Sequence, residues 1–282
     1  MPDTKRKQIT KTEVAKKLNI SRGMLYYEHK RPLIDEELKI QIQAVLTRHP
    51  AYGHKRIAID LRLNRKRIRR VMKKFGLKPY RRRSKKPNKK EDQGKAAVEN
   101  AVNIYKLLCP IAQNIVWVSD FTYIKFKGKF IYLATIMDMY TREIIGVAIA
   151  RVHDTNLVME AFMAAEKKTG TKSIYLHSDQ GSEYTSDTYK TYVTNKKTLL
   201  SFADKGSPWQ NGFQESFYQG FKLDVGDVNR FEALGELIEA IHQTIYYYNN
   251  ERIHTGLKMS PVKFRILYQK KVSDRLFKEL GT

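Results

Sequence analysis

Three short stretches decide the fold of this chain: WVSDFTYI (117–124), LHSDQGSEY (176–184) and SPWQNGFQESFYQGFK (207–222). Each places a carboxylate where a strand ends or a helix begins. Asp120 interrupts an apolar, β-branched run that predicts a buried strand, where an unpaired carboxylate is expensive. Asp179 follows a second strand-like run, SIYLHS, and precedes Gly181, which predicts a tight turn at the strand end. The position of Asp120 in such a strand therefore needs a chemical reason.

The third stretch predicts a helix. We expect Ser207 as its N-cap, Pro208 at its first position and Gln210 closing a capping box. Glu215 lies within this helix and Lys222 follows seven residues later. Two helical turns bring the lysine back over the glutamate, so a cation and a carboxylate share one face.

The spacing of these carboxylates resembles the D, D(35)E pattern of integrases and related transposases, since 35 residues separate Asp179 from Glu215. Together with YNNERIHTGLKMSPVKF (248–264), the motifs look like the catalytic subunit of insertion-sequence transposases of the third family, relatives of retroviral integrases. The resemblance covers about residues 12–267. Two positions depart from it: Gln210 stands where an Asp is expected, and Glu183 stands where a Gln is usual.

The resemblance implies a catalytic site of Asp120, Asp179 and Glu215. Carboxylates without cysteine or paired histidines suit Mg²⁺, with Mn²⁺ as a substitute, rather than zinc. By resemblance, Asp120 would bridge two ions, Asp179 and Glu215 would each bind one, and Lys222 would hold a DNA phosphate. The implied reaction is phosphodiester hydrolysis that exposes a 3′-OH, followed by attack of that 3′-OH on another phosphodiester.

Composition sets the broad class. The chain has 282 residues, 41% of them apolar, which is enough for two or three domains with real cores. Cys109 is the only cysteine, which excludes an internal disulfide. No long apolar run or signal-peptide pattern occurs, so we expect no membrane segment and a cytoplasmic protein. The resemblance implies a bacterial protein associated with the nucleoid.

The positive charge is concentrated at one end. The net charge is +24, and residues 1–100 hold 30 Lys and Arg against 10 Asp and Glu. The remaining residues hold 23 against 19. A generically basic surface would spread the excess evenly, so the first third predicts a nucleic-acid-binding region.

Two helical units are expected in that basic region. Residues 1–30 contain two short helical segments, KTEVAKKL and SRGMLYYEH, with Ser21 as an N-cap, the pattern of a helix-turn-helix. Ser21 and Arg22 would then contact DNA. Residues 31–78 predict helices over about 35–47, 54–63 and 65–75, resembling a second helix-turn-helix. Its last helix, ended by Gly76, presents a dense set of phosphate-binding candidates: Arg65, Lys66, Arg67, Arg69, Arg70, Lys73 and Lys74.

A charged linker over 79–97 follows, either tracking DNA through Arg81, Arg82 and Arg83 or serving as a solvated tether. The catalytic domain is expected over 98–226, starting with a helix over 98–108 and continuing in the order βββαβαβα. That order resembles the α/β ribonuclease H-like, retroviral integrase-like fold, in which the first and fourth strands are neighbours. Residues 227–282 predict a helix over 231–248 and a tail, where Arg252 and His254 either pack or contact DNA.

Four further residues near these motifs are candidates for the site. Asp138, at the end of the second strand, is either a fourth ligand or a turn cap, with the cap favoured. His177 lies two residues before Asp179 and hence on the same strand face, so it either supports the site, contacts DNA or packs. Trp209 and Phe213 either stack on bases or belong to the core.

The function we expect is that of a transposase acting on double-stranded DNA, both the terminal inverted repeats of an element and its target. The resemblance also implies a homo-oligomer on DNA and a smaller partner subunit with a helix-turn-helix and a coiled coil. This chain has no sustained heptad, so it lacks that coiled coil itself. Two alternatives stay open. One is an integrase or nuclease that only cuts, and the other is a DNA-binding regulator derived from a transposase, without catalytic activity.

Overall fold

The computed structural model describes residues 10–26, 31–81, 103–104, 110–204 and 207–280. Arg82, Arg83 and nearly all of the expected helix over 98–108 lie outside the described residues. In the N-terminal unit, α1 (Lys11–Lys17) begins at Thr10, whose hydroxyl accepts from the Glu13 N–H in a capping box. Next comes a 3₁₀ helix, Arg22–Tyr26, in which the Met24 N–H donates to the Ser21 carbonyl. The α-helix expected from Ser21 is therefore not present over 21–26, where Gly23 disfavours α-helix.

The second helical unit has the expected three helices: α2 (Arg31–Arg48), α3 (His54–Asp60) and α4 (Arg65–Lys74). α2 begins earlier than expected because a proline is tolerated in the first turn of a helix. Gly76, at φ 65°, ends α4 as predicted, and the Leu77 N–H donates to the Met72 carbonyl at 2.9 Å. Apolar residues of all three helices form the core of this unit: Leu38, Ile42, Val45, Ile57, Ile68 and Val71.

The region after residue 110 is built on a mixed five-stranded sheet. Its strands are β1 (Val116–Phe126), β2 (Lys129–Asp138), β3 (Ile144–Ala150), β4 (Tyr175–Ser178) and β5 (Leu199–Phe202). The order is β3-β2-β1-β4-β5, with β1–β2 and β2–β3 antiparallel and β1–β4 and β4–β5 parallel. The expected meander and the neighbouring first and fourth strands are both confirmed.

Helices cover both faces of the sheet. On one face lie α5 (Thr155–Thr169), α6 (Ser182–Thr185) and α7 (Asp187–Asn195), around a core that includes Trp117, Phe162 and Tyr184. α5 runs from the Asp154 cap to Gly170, as expected. Gly146 of β3 allows its close approach, because a Cβ there would overlap the Ala161 carbonyl oxygen.

The opposite face carries α8 (Gly212–Val225) and α9 (Leu234–Asn250), whose apolar residues pack on β1 and β2. After a tight segment, α10 (Pro261–Leu280) follows where a tail was expected. Its Arg265 Nε donates to the buried Glu143 carboxylate at 2.7 Å, which ties this helix to the sheet domain. The element order is the ribonuclease H-like one, with α6 added between β4 and α7.

Candidate active site

Asp120 lies in the middle of β1, and Asp179 directly follows the adjacent parallel strand β4. β4 pairs with β1 only as far as Val118, which is opposite His177. Asp120 therefore lies two residues beyond the last β1 residue that pairs with β4, and Asp179 directly follows β4. Asp120 is half-buried and Asp179 is exposed. The topology brings both carboxylates to the same end of the sheet, as the sequence predicted.

The electrostatics of Asp120 show that each of the other predicted site residues lies within reach of its charge. Burial, and next the negative charge of Asp179, raises the pKa of Asp120 to about 8, although the Phe121 N–H donates to its Oδ1 at 2.8 Å. The charge of Glu215 raises this pKa further and that of Lys222 lowers it. All three other site residues thus act on Asp120 through space.

Asp179 is held by the turn that follows it. Its Oδ1 accepts from the Gly181 N–H at 3.0 Å. The side chain reaches solvent, but the surrounding protein excludes part of its water, and this desolvation raises the pKa of Asp179. The hydrogen bond from Gly181 lowers the pKa by a smaller amount. The nearby charge of Glu183 raises it as well. A cation would relieve the repulsion in this acidic corner.

Helix α8 is fastened to β1 beside Asp120. The Gln214 Nε2 donates to the Val118 carbonyl at 2.7 Å, and the Tyr218 hydroxyl donates to the Asp120 carbonyl at 2.7 Å. One turn earlier, the Asn211 Nδ2 donates to the Ser119 carbonyl at 3.4 Å. Polar groups at helical spacing thus fix α8 along the catalytic strand.

Glu215 and Lys222 are carried by this fixed helix. Glu215 follows the buried Gln214 and is itself exposed. The Lys222 Nζ lies 5.1 Å from the centre of the Tyr123 ring. The sequence predicted the placement of both residues on one helix, and the structure has them there.

The expected start of that helix was wrong. Ser207 makes no side-chain cap; a 3₁₀ helix, Pro208–Asn211, comes first, and α8 begins at Gly212. The reason is that Gln210 is engaged elsewhere. Its Nε2 donates to the Asp204 carboxylate at 2.9 Å and its Oε1 accepts from the Asp204 N–H at 2.7 Å. An amide can do both, whereas an Asp at this position would repel Asp204.

The donor set suits a hard cation, since carboxylate oxygens from β1, β4 and α8 are all of the kind that Mg²⁺ and Mn²⁺ prefer. Burial and the negative charge of Asp179 disfavour the charged form of Asp120, and a bound cation would offset both effects. Within the described part of the chain, however, no three His, Cys, Asp or Glu side chains are grouped closely enough to hold a metal ion. The three carboxylates are thus of the chemical type that binds Mg²⁺, but their oxygens do not converge on a single position.

The remaining candidates are mostly structural. Asp138 caps its turn: its Oδ1 accepts from the Thr141 N–H at 2.7 Å, and its Oδ2 accepts from the Asn114 N–H at 2.7 Å. The favoured cap role is confirmed. His177 is buried, its Nδ1 lies 2.8 Å from the Ser201 hydroxyl, and burial lowers its pKa to about 4. Packing is therefore the role that its geometry supports.

The expected DNA-contacting residues divide into two groups. The seven basic residues of α4 are all exposed, but the Arg70 guanidinium and the Lys74 ammonium bind the buried Asp35 carboxylate at 2.6 and 3.0 Å. These two cations hold the pKa of Asp35 well below its usual range. The others on this face remain DNA-contact predictions, as do the exposed Ser21 and Arg22.

The C-terminal candidates have structural partners. Arg252 is only 6% exposed and its Nε lies 2.7 Å from the Asp224 carboxylate. Burial lowers the pKa of His254 to about 4. Of the two roles kept open for these residues, the geometry supports packing. In the linker, the Arg81 Nη1 donates to the Ala51 carbonyl at 3.0 Å, which is a tie to the helical unit.

Sequence reasoning missed Asn211, Gln214 and Tyr218 as the residues that position α8. Their spacing of three and four on an otherwise apolar helix face was the available signal.

The fold and the placement of Asp120 and Asp179 define a ribonuclease H-like core of the retroviral integrase type. Residues 111–208 and 196–261 match two family models, each described as an integrase core domain. The transposase for insertion sequence element IS904 of Lactococcus lactis is 32% identical over 241 residues, covering 81% of this chain and 94% of the relative. The insertion element IS600 uncharacterized 31 kDa protein of Shigella sonnei is 30% identical, covering 83% and 89%.

Among solved structures, the simian T-cell lymphotropic virus intasome in complex with the PP2A regulatory subunit B56 gamma matches with a TM-score of 0.50 and 13% identity. The match covers 63% of this chain and 60% of that chain and shows a common fold. The chain belongs to the insertion-sequence transposases with an integrase core, which confirms the family resemblance. No helix among the described residues is long and apolar enough to cross a membrane.

Proposed function

We propose that this chain binds the ends of its insertion element and catalyses divalent-metal-dependent DNA cleavage and strand transfer. The observation that carries the proposal is the convergence on Asp120: Asp179 ends the neighbouring parallel strand, and α8, with Glu215 and Lys222, is fastened to the backbone at 118–120. The charges of all three act on Asp120. Relatives over most of the chain are named as transposases.

Asp120, Asp179 and Glu215 would hold two Mg²⁺ ions, replaceable by Mn²⁺, which activate the attacking oxygen and stabilise the departing one. For this role Asp120 must give up the proton that its raised pKa retains near neutral pH. Lys222 binds a phosphate of the reacting strand, and the exposed basic face of α4 binds phosphates of the duplex.

The substrates proposed are double-stranded terminal repeats and target DNA. Because one transposition event joins two element ends, a homo-oligomer on DNA is expected, with a smaller helix-turn-helix and coiled-coil subunit as a further partner. The protein would act on nucleoid DNA in the bacterial cytoplasm.

The test is incubation of the purified chain with labelled duplexes that carry the element's own ends, with Mg²⁺ and then with EDTA. Asp179→Asn and Glu215→Gln should abolish cleavage and joining. Asp187→Asn is the matched control, because that carboxylate is fully exposed at the start of α7. Cleavage that survives both site substitutions would remove the proposed site.

The same assay separates the alternatives. Cleavage without joined products would indicate an enzyme that only cuts. Specific binding without any cleavage, also when the smaller subunit is supplied, would indicate a DNA-binding regulator.

A further inference from the structure

A groove of about 480 Å³ lies beside the candidate active site, between the β1–β2 hairpin and α8. Its apolar floor comes from Phe221 and Val225, and its rim carries Tyr123 and Lys222. This volume falls within the range of sites that hold small organic ligands. The groove shares Lys222 with the site described above.

Tyr123 forms an exposed aromatic wall of this groove. It lies on β1 three residues beyond Asp120, between the buried Thr122 and Ile124, and it is 59% exposed. Phe130 of β2 is 47% exposed and meets the Tyr123 ring edge-to-face, with centroids 5.4 Å apart. Two large aromatic side chains thus form an exposed apolar patch, and such patches are typical of interaction sites. The neighbouring ring fixes the orientation of Tyr123.

The charges around this wall are those that an anion requires. The Lys222 ammonium lies 5.1 Å from the Tyr123 ring centre, and Lys125, two residues along the same strand face, is exposed. Asp227 also lines the groove, but its Oδ1 accepts from the Asn229 N–H at 3.0 Å and so caps the next turn. The groove therefore offers an aromatic face together with cations, the combination that binds single-stranded nucleic acid.

We propose that this groove holds an unpaired nucleotide of the reacting DNA strand, with its base on Tyr123 and its phosphate on Lys222. The inference rests on the proposed function, since it places the nucleotide next to the phosphodiester that Asp120 and Asp179 face. The base must leave the duplex because, inside it, the stacked neighbouring bases cover both of its faces. Tyr123 is then a positioning residue that keeps the DNA end open beside the carboxylates.

The test uses photocross-linking. End duplexes carry 5-iododeoxyuridine at each successive position near the cleavage site, with Ca²⁺ replacing Mg²⁺ so that the strand stays intact, and cross-linked peptides are mapped by mass spectrometry. We expect one position to cross-link to Tyr123. Tyr123→Ala should reduce the yield about tenfold, in line with loss of one base–aromatic stack, whereas Tyr123→Phe should retain it.

The control variant is Tyr246→Ala, which removes an equally exposed tyrosine from α9, 63% exposed, and should leave the yield unchanged. Mismatches that unpair the end should raise the yield several-fold. Equal yields from paired and unpaired ends, or cross-links that avoid Tyr123, whether to another segment of this chain or to none, would overturn the inference.

Cleavage in Mg²⁺, measured in parallel, distinguishes the two proposals. Cleavage without a Tyr123 cross-link would refute the groove inference and leave the proposed function standing. A Tyr123 cross-link without cleavage would support the groove and count against catalysis.

Discussion

At the residue scale, Asp120 is a half-buried carboxylate within an apolar strand. In such a strand the charged form of a carboxylate is unfavourable. In the structure, burial and the charge of Asp179 raise the pKa of Asp120 to about 8. The sequence could predict this residue because a carboxylate breaks the strand pattern. It could not predict the Gln210–Asp204 pair, because that contact depends on how two loops meet.

The raised pKa predicts how stability depends on pH. With its pKa raised to about 8, Asp120 keeps its proton in the folded chain to a higher pH than in the unfolded chain, where its ordinary pKa is 3.8. The folded state therefore binds more protons between these values, so this residue lowers the free energy of unfolding as pH rises through that window. Urea denaturation in EDTA at pH 5 to 8 should show a shallower decline for Asp120→Asn than for the wild type. Parallel curves would contradict the predicted protonation.

At the element scale, α8 places Glu215 and Lys222 beside β1. The helix and its two charged residues were predictable from spacing, because seven residues make two turns. Its true start and its attachment were not, because they depend on side chains that bind the β1 backbone: Gln214 at Val118 and Tyr218 at Asp120. α10 was missed as well, although Phe264, Tyr268 and Val272 recur at helical spacing.

Tyr218→Phe tests this attachment. The variant keeps the ring but loses the donor to the Asp120 carbonyl and the contact with the Thr135 hydroxyl at 2.8 Å. Burial raises the pKa of Tyr218 well above 10, so the hydroxyl is a donor throughout the neutral range. We expect the unfolding free energy to fall by about 1–2 kcal/mol and strand cleavage to slow several-fold. Tyr246→Phe, on the exposed face of α9, is the control, and equal effects of the two changes would refute the positioning role.

At the scale of the whole molecule, the second helical unit does not stand apart from the catalytic region. Ile253 packs against the core of α2–α4, and its N–H donates to the Tyr52 hydroxyl at 2.7 Å. The Arg56 Nε donates to the Ile253 carbonyl at 2.8 Å, and the His49 Nδ1 lies 2.8 Å from the Tyr247 hydroxyl. Composition predicted the basic unit but not this docking, because the partners are about 200 residues apart in sequence. The domain boundaries drawn from the sequence remain predictions.

Ile253→Asp should loosen this docking, since a carboxylate would enter an apolar core. We expect a loss of about 2 kcal/mol in the unfolding free energy and faster hydrogen exchange in α2–α4, read by mass spectrometry. Ile266→Asp, at an exposed position of α10, makes the same chemical change as a control. Unchanged exchange in α2–α4 would show that the contact does not hold the unit in place.

The central claim is that carboxylates from β1, the end of β4 and α8 act as one metal site. The most direct measurement loads the DNA-bound chain with Fe²⁺ in place of Mg²⁺, adds ascorbate and peroxide, and maps where the released radicals cut the protein. The account predicts cuts in three stretches, around Asp120, Asp179 and Glu215, all suppressed by excess Mg²⁺. Cuts confined to one of these stretches, or insensitive to Mg²⁺, would contradict a shared site.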